Sequence, residues 1–358
     1  MRKTIKNTAS KQPSSTIPKD GLSVIVPTYN GATWLPETVQ HIVTALKEAD
    51  ITKCEIVVVN DGSTDDTEQV VKGLIKVSKF PMRLVTQKNG GRFVARRTGT
   101  DEARYPYLLF VDTRVFIGKS SLKYVVEQHG KDPSRQVWCS HVRVDKEGNI
   151  YARFWETVAF VAWRKYFKQP KDTSYGLAVF DDYPKGTTCF LIAKDVLADA
   201  NKWFVSNTKD LKTSNDDTLL LRYIARDNSI NISPDYWCLY HARATMQQYT
   251  KHVHHRGKVF VDGFLRNDGN RFFIPLIVFL AASVLVPIFL LIQTQFILPA
   301  LIAGGAIWLL ELVVMILLGV PCKDAFSAFI LSPIFAVYYG AGIWRAFINI
   351  YITNRRSA

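Results

Sequence analysis

Residues 22–111 alternate short apolar runs with longer amphipathic runs, and this alternation constrains the fold more than any other feature of the chain. The short runs have the length of buried strands, and the amphipathic runs have the spacing of helices. Strands are predicted at residues 22–26, 55–59, 82–86 and 107–111, and helices at about 34–47, 64–76 and 93–104. Strands that alternate with helices form a mostly parallel sheet with helices on both faces. The sequence therefore predicts an α/β fold.

Polar residues follow three of these strands directly. Thr28 comes after the first, Asp61 after the second and Asp112 after the fourth. In open α/β sheets, ligands bind at the carboxyl ends of the strands. We therefore expect these three side chains to border one ligand site.

The composition changes abruptly after residue 271. Residues 272–292 and 296–318 are apolar and long enough to cross a bilayer, which takes about 20 residues. A third apolar helix at about 325–350 contains Pro333 and precedes Arg355 and Arg356. If the preceding domain is cytoplasmic, a third crossing would place these arginines outside the cell, against the positive-inside bias. We therefore expect that helix to lie in the interface or to re-enter the membrane.

The predicted organisation has three parts. Residues 1–20 form a basic tail expected to be disordered, and residues 21–265 form a catalytic domain with halves at 21–118 and 119–265. Residues 266–358 form the membrane region. Residues 135–207 are aromatic-rich and are expected to be less regular and to lie on the acceptor side.

The net charge and the cysteine content indicate the kinds of partner and the compartment that suit this chain. The net charge of +14 favours anionic partners such as lipid headgroups or phosphorylated substrates. Nucleic acid is disfavoured because the charge is spread and no recognition motif accompanies it. The five cysteines are scattered without metal-site spacing, and the tail lacks the apolar run of a secretory signal. The catalytic part is therefore expected on the cytoplasmic side of the membrane.

Three motifs appear in order after these strands: residues 26–30 (VPTYN), residues 60–67 (NDGSTDDT), and residues 89–99 leading to Asp112. Together they resemble the family 2 glycosyltransferases, whose nucleotide-binding half has the GT-A (Rossmann-like) fold. The resemblance is close over residues 22–118 and looser to about residue 257. It implies an enzyme of polysaccharide or cell-envelope synthesis that uses a nucleotide-sugar donor.

The resemblance implies a donor-binding role for the first two motifs. Pro27, Thr28 and Tyr29 lie in a loop that can line the binding site of the nucleotide base. Asp61 can accept a hydrogen bond from that base or from the ribose. In the family, the position of Asp61 contacts the uracil of a UDP-sugar. The alternative is that Asp61 only caps the turn that follows it.

The third motif matches the family's glycine-rich loop and the helix after it. Gly90 and Gly91 allow the backbone to approach the donor closely, and Arg92 or Arg96 can meet a phosphate. Asn89 belongs to the same loop and is expected to bind the donor with them. The alternative for each arginine is an ordinary solvated basic face.

Residues 112–114 depart from the family pattern, which usually has a second aspartate where Arg114 stands. In the family, that second carboxylate helps to bind a divalent ion. One possibility is that Asp112 holds Mg²⁺ or Mn²⁺ with another ligand, for which His241 is the candidate. The other is that the positive charge of Arg114 replaces part of the charge that the metal would supply.

The resemblance assigns the general base to Asp217, the second residue of an acidic pair with Asp216. An inverting transfer needs such a base to take the proton of the acceptor hydroxyl. The alternative is that both carboxylates only stabilise the N-terminus of a helix through its dipole. Asp216, His255 and Arg256 are expected on the acceptor or phosphate side, where a basic surface can touch headgroups or donor phosphate; the alternative is a metal held by His252 and His255 at helical spacing. In processive relatives this region carries Gln-x-x-Arg-Trp, and no Trp follows Arg256 here, so the resemblance does not extend to polymerisation.

These features predict an inverting glycosyltransferase that moves a sugar, with UDP as the expected nucleotide, to a lipid-linked or cell-surface glycan. Transfer to a polyprenyl phosphate is one alternative. Another is a membrane protein that binds nucleotide sugars without catalysis, because residues 112–114 depart from the pattern.

Overall fold

The computed structural model describes residues 17, 19–267 and 270–353. Most of the predicted tail at residues 1–20 lies outside the described residues, as do Arg355 and Arg356.

The described residues contain one nine-stranded mixed sheet with the order β3-β2-β1-β4-β8-β6-β9-β5, and β7 pairs with β9. The strands are β1 (Leu22–Thr28), β2 (Cys54–Asn60), β3 (Met82–Thr86), β4 (Tyr107–Val111), β5 (Val115–Ile117), β6 (Val137–Asp145), β7 (Thr173–Tyr175), β8 (Cys189–Ala193) and β9 (Ile230–His241). Strands β1 to β4 are mutually parallel, as predicted, whereas β8 joins β4 in an antiparallel pair.

Helices cover both faces of the sheet and continue into the C-terminal region. They are α1 (Leu35–Glu48), α2 (Thr67–Val77), α3 (Arg92–Glu102), α4 (Ser121–Lys131), α5 (Ile150–Ala162), α6 (Arg164–Phe167), α7 (Lys194–Trp203), α8 (Asp216–Ile224), α9 (Met246–Phe264), α10 (Phe273–Ile292), α11 (Ile297–Leu317) and α12 (Cys322–Phe347). Short 3-10 helices occupy Leu177–Asp182, Leu211–Thr213 and Thr294–Phe296, and a π-helical turn occupies Ile348–Thr353.

The core consists of two apolar layers, one on each face of the sheet. Because side chains alternate along a strand, Val24 and Val26 of β1 pack with α1, α2 and α4, whereas Ile25 packs with α3, α7 and α8. Gly99 allows α3 to lie flat on the sheet, since a methyl group there would overlap the Ile25 side chain. This close packing fixes α3, which carries Arg92 and Arg96.

The middle of the chain is more regular than we expected. Residues 135–207 contain β6, β7, β8 and three α-helices, and β8 inserts between β4 and β6. Its aromatic residues pack on neighbouring elements, as when Trp138 of β6 meets Tyr124 of α4 edge-on at a centroid distance of 5.9 Å.

Within residues 270–353, α10, α11 and the segment Cys322–Thr353 are long and apolar enough to cross a membrane. Glu311 of α11 accepts a hydrogen bond of 2.7 Å from the Ser332 hydroxyl of α12, so this carboxyl lies between helices. Burial inside a bundle is the expected position for an acidic side chain at membrane depth.

Helix α12 lies along α9 for most of its length. Near its start, Asp324 pairs with Lys146 at 2.8 Å and with Arg153 at 2.6 Å. Beyond its end, the Tyr351 hydroxyl donates to the Leu265 carbonyl at 3.1 Å. Gly257 of α9 permits the close approach, because a methyl group there would overlap the Tyr339 carbonyl oxygen.

Candidate active site

The site lies at the carboxyl edge of the parallel strands. Thr28 and Asn60 occupy equivalent positions at the ends of β1 and β2, and the Asp61 amide donates to the Thr28 carbonyl at 2.9 Å. The loop after β1 is tied to the loop after β2, because the Asn30 amide donates to the Ser63 hydroxyl at 2.9 Å. Tyr29 between these ties is half exposed, with its ring available to a ligand.

The Asp61 carboxylate holds the glycine-rich loop in place. It accepts hydrogen bonds from the Gln87 side chain at 2.7 Å and from the Gly90 and Gly91 amides at 2.8 Å each. Gly91 has φ of +90°, a conformation that favours glycine, and it begins α3. The Asn89 backbone packs against Gly62. Asp61 thus fixes the loop that aims Arg92 and Arg96, and contact with a base stays a prediction.

Arg96 joins the acidic residues of separate elements. Its guanidinium donates to Asp112 at 2.7 Å, to Asp217 at 3.0 Å and to Asp216 at 3.2 Å. The Thr187 carbonyl accepts a further bond at 2.9 Å. Since Arg96 is 8% exposed at its side chain, this network is nearly closed to solvent.

Arg92 forms the outer part of the same network. It pairs with Asp216 at 2.8 Å and with Asp217 at 3.0 Å, and its side chain is 41% exposed. Asp217 is 20% exposed, whereas Asp216 is 4% exposed. Of the acidic pair, therefore, Asp217 is the carboxylate that is more accessible to solvent.

The charges of the arginines set the protonation of Asp217. Burial would raise the pKa of this carboxyl, but Arg92 and Arg96 outweigh it and hold the pKa well below its ordinary value. Asp217 is therefore ionised, as a general base must be, and it is fully paired with cations.

Helix α9 adds further positive charge around the acidic pair. Arg256 contributes to the low pKa of Asp217, and its guanidinium lies 6.0 Å from the Trp155 ring centre. Burial, with the charges of Arg92 and Arg256, lowers the pKa of His255 to about 4, so this imidazole is neutral at pH 7. His255 and Arg256 thus lie near enough to the arginines and the acidic pair to interact with them electrostatically, and their contact with phosphate or headgroups stays a prediction.

Asp112 and Arg114, which follow β4, contact different neighbours. Asp112 accepts from Arg96 and, at 3.0 Å, from the Thr188 hydroxyl. Arg114, at φ of +81°, places its guanidinium 5.2 Å from the Trp34 ring centre. Its carbonyl accepts from the His241 amide at 3.0 Å, so the backbone turn brings Arg114 and His241 together.

The candidate metal ligands are only partly suited to an ion. His241 binds Asp145 through Nδ1 at 3.0 Å, and its buried Nε2 has no partner among the described residues. Asp112, however, is already paired with Arg96, and the described ranges contain no group of three His, Cys, Asp or Glu placed to hold a metal. These residues do not fit a divalent ion held by protein side chains alone. Binding of Mg²⁺ or Mn²⁺ by Asp112 and His241 stays a prediction, and it would need further ligands that are not protein side chains.

Thr187 and Thr188 belong to the site but were missed from the sequence. Thr187 contacts both Arg96 and Asp217, and Thr188 contacts Asp112. They immediately precede β8, whose position beside β4 follows from long-range pairing and has no local signal. The only available sign was a pair of hydroxyl residues directly before an apolar run.

Comparison with known proteins identifies the domain. Residues 23–197 match the model of glycosyl transferase family 2. The poly-β-1,6-N-acetyl-D-glucosamine synthase of Staphylococcus aureus is 23% identical over 159 residues, which cover 44% of this chain and 37% of the synthase. The matched region thus spans little more than a third of that relative. Asp217 lies beyond the family match.

A solved structure supports the fold. A mannosyltransferase from Pyrobaculum calidifontis, in complex with GDP-Man and Mn²⁺, superposes with a TM-score of 0.54 at 18% identity, covering 92% of this chain and 87% of that one. S. aureus TarS in complex with UDP-GlcNAc gives a TM-score of 0.48 at 18% identity, with coverage of 94% and 92%. The predicted GT-A fold is confirmed, and the chain carries a family 2 glycosyltransferase domain followed by apolar helices.

Proposed function

We propose that this protein is an inverting glycosyltransferase that moves a sugar from a nucleotide-sugar donor, a UDP-sugar first among them, to a lipid-linked or growing surface glycan. One observation carries the proposal. Asp112 and Asp217 lie 105 positions apart in the chain, yet a single guanidinium, that of Arg96, binds both at the edge of the sheet.

The donor is proposed to occupy the edge formed by the loops after β1, β2 and β3. Tyr29 offers a half-exposed ring, and Asp61 keeps the glycine-rich loop open at Gly91. The diphosphate would then lie beside Arg92, whose exposed guanidinium is free to turn from Asp217 to phosphate oxygens.

This exchange supports a role for Asp217 in proton transfer. When the diphosphate draws Arg92 away, Asp217 loses one of its two cations and becomes a stronger base. The acceptor hydroxyl oxygen attacks the anomeric carbon, the bond to the diphosphate oxygen breaks, and the hydroxyl proton passes to Asp217. Arg92 and Arg96 stabilise the charge that develops on the leaving diphosphate.

The membrane position of the acceptor is proposed from the flanking helices. Arg266 and Arg271 precede α10 and Lys323 begins α12, whereas the turn at Thr294–Phe296 carries no charge. By the positive-inside bias, this supports a cytoplasmic catalytic domain. Both ends of α12 contact that domain, which supports an interfacial rather than a crossing helix.

Transfer to a polyprenyl phosphate is a second candidate, favoured by the cations of α9. An anionic acceptor would be attracted by Arg256 and would need no strong base. The two reactions are separated by Asp217→Asn, which should lower transfer to a hydroxyl by about 10²- to 10⁴-fold but leave transfer to a phosphate unchanged.

The test is a panel of UDP-, GDP- and TDP-sugars incubated with membranes that contain the full chain, scored by nucleotide release and sugar transfer. We expect release and transfer from one nucleotide class, with UDP-N-acetylglucosamine tried first because of the synthase relative. Donor binding without release from any sugar would instead identify a non-catalytic binding protein.

A further inference from the structure

A second cavity lies beside the acidic network, between β6, α5 and the loop before β8. Its volume is about 480 Å³, whereas the cavity beneath Arg96 and Asp216 measures about 30 Å³. Clefts that bind small molecules usually measure about 300–1,000 Å³. The larger cavity therefore has room for sugar units, and the smaller has not.

The lining combines aromatic faces with a few polar groups. Phe160, Trp163 and Phe167 supply the rings, and His141 and Lys185 supply polar atoms. Aromatic walls with a small number of placed polar groups are typical of sites for small organic ligands. Sugar rings match this lining, since they present C–H faces to the rings and hydroxyl groups to the polar atoms.

Trp163 contributes an aromatic wall to the cavity. Its ring lies 5.4 Å from the Lys185 ammonium, and both residues line the open space. The indole Nε1–H is buried away from that space, so a ligand in the cavity meets the carbon atoms of the ring rather than the N–H.

The charge of the lining favours a neutral ligand. Burial lowers the pKa of Lys185 to about 8, and this ammonium already lies 3.6 Å from Asp181. Burial lowers the pKa of His141 to about 4, so the imidazole is uncharged at pH 7. The other charged groups of the lining also have partners, because Glu156 pairs with Lys146 at 2.6 Å and the Arg143 guanidinium lies 4.3 Å from the Trp237 ring centre. A hydrocarbon chain would leave these polar groups unsolvated.

The cavity adjoins the proposed base. Lys185 and Gly186 line it, and the next residue, Thr187, contacts Asp217. A glycan in the cavity would therefore extend towards Asp217.

We propose that this cavity binds the sugar units of a neutral acceptor glycan behind the residue that receives the new sugar. The proposal rests on the proposed function, and it assigns a glycan rather than a bare lipid phosphate as the acceptor.

The test uses the full chain in detergent, saturated with UDP and titrated calorimetrically with two N-acetylglucosamine disaccharides, β-1,4-linked and β-1,6-linked. Trp163→Ala removes the ring from the cavity wall. Since an aromatic contact contributes about 1 kcal/mol, we expect affinity for the bound disaccharide to fall by about fivefold. Trp203→Ala, at a 66% exposed residue of α7, is the matched control and should bind normally.

A second variant guards against misfolding of the first. Ala159→Trp fills the cavity from α5 and should abolish disaccharide binding while the affinity for UDP stays normal. Unchanged disaccharide binding in both variants would overturn the proposal, as would equal loss of UDP affinity, binding of neither disaccharide, or farnesyl phosphate bound in a Trp163-dependent way.

Hydrolysis of UDP-N-acetylglucosamine without acceptor separates this proposal from the proposed function. Normal hydrolysis with no Trp163-dependent disaccharide binding refutes the cavity proposal alone. Disaccharide binding without any donor turnover supports the cavity and refutes the enzyme.

Discussion

Replacing Asp217 by asparagine removes the proposed base with almost no change in shape. We expect kcat for transfer to a hydroxyl acceptor to fall by about 10²- to 10⁴-fold, the usual contribution of a general base. This loss corresponds to about 3–5 kcal/mol of transition-state stabilisation.

The fold should tolerate the change, because Arg92 and Arg96 each keep another carboxylate as an ion-pair partner. Arg92 retains Asp216 at 2.8 Å, and Arg96 retains Asp112 at 2.7 Å. No buried guanidinium is left unpaired, so the large penalty of a broken buried ion pair does not arise. UDP should bind at least as tightly as before, since a negative charge near its diphosphate has been removed.

The assay compares UDP release and sugar transfer by the purified full chain with UDP affinity measured by calorimetry. Asp216→Asn is the matched control, because it removes the same charge from a carboxylate that is only 4% exposed. We expect its kcat to fall far less than that of Asp217→Asn. Near-normal transfer by Asp217→Asn, or equal losses in the two variants, would refute the assignment of the base.

The remaining predictions concern stability. Arg96→Met leaves three carboxylates without their shared cation and should lower the free energy of unfolding by about 3–5 kcal/mol, measured by denaturant titration; an unchanged midpoint would contradict the network. Gly257→Ala should lower the melting temperature because a methyl group overlaps α12, at a cost of about 1–3 kcal/mol, whereas Gly304→Ala meets no neighbour and should not. Equal melting of these two variants would exclude the close packing of α9 and α12. Burial would raise the pKa of Glu55, but hydrogen bonds from the Arg104 amide, Ser23 and Arg83 lower it instead. A lowered pKa stabilises the fold above the unfolded-state value of about 4.3 and loses this effect as pH falls through the folded-state value. Unfolding measured from pH 6 to pH 3 should therefore show a smaller acid loss in Glu55→Gln than in the wild type, and identical profiles would contradict this.

Local sequence signals were sufficient for the nucleotide-binding half. The strands at residues 82–86 and 107–111 have the predicted bounds, because apolar runs between turn residues report burial directly. Asp61 and Asp112 could be placed near one another for the same reason, since parallel strands end at one edge.

The rest depends on contacts between distant segments. Nothing local indicates that β8 enters the sheet beside β4, and so Thr187 was not found. The pairing of Arg96 with Asp217 joins residues 121 positions apart. The packing of α12 on α9 depends on Gly257, whose role appears only when the two helices are together.

The proposed mechanism requires a shared cleft in which the donor diphosphate binds Arg92 in place of Asp217. A cryo-electron microscopy structure of the full chain with UDP tests this most directly. We predict phosphate oxygens within about 3 Å of the Arg92 guanidinium, with Asp217 released from it. UDP bound away from Arg92, or an intact pair between Arg92 and Asp217 in the complex, would contradict the account.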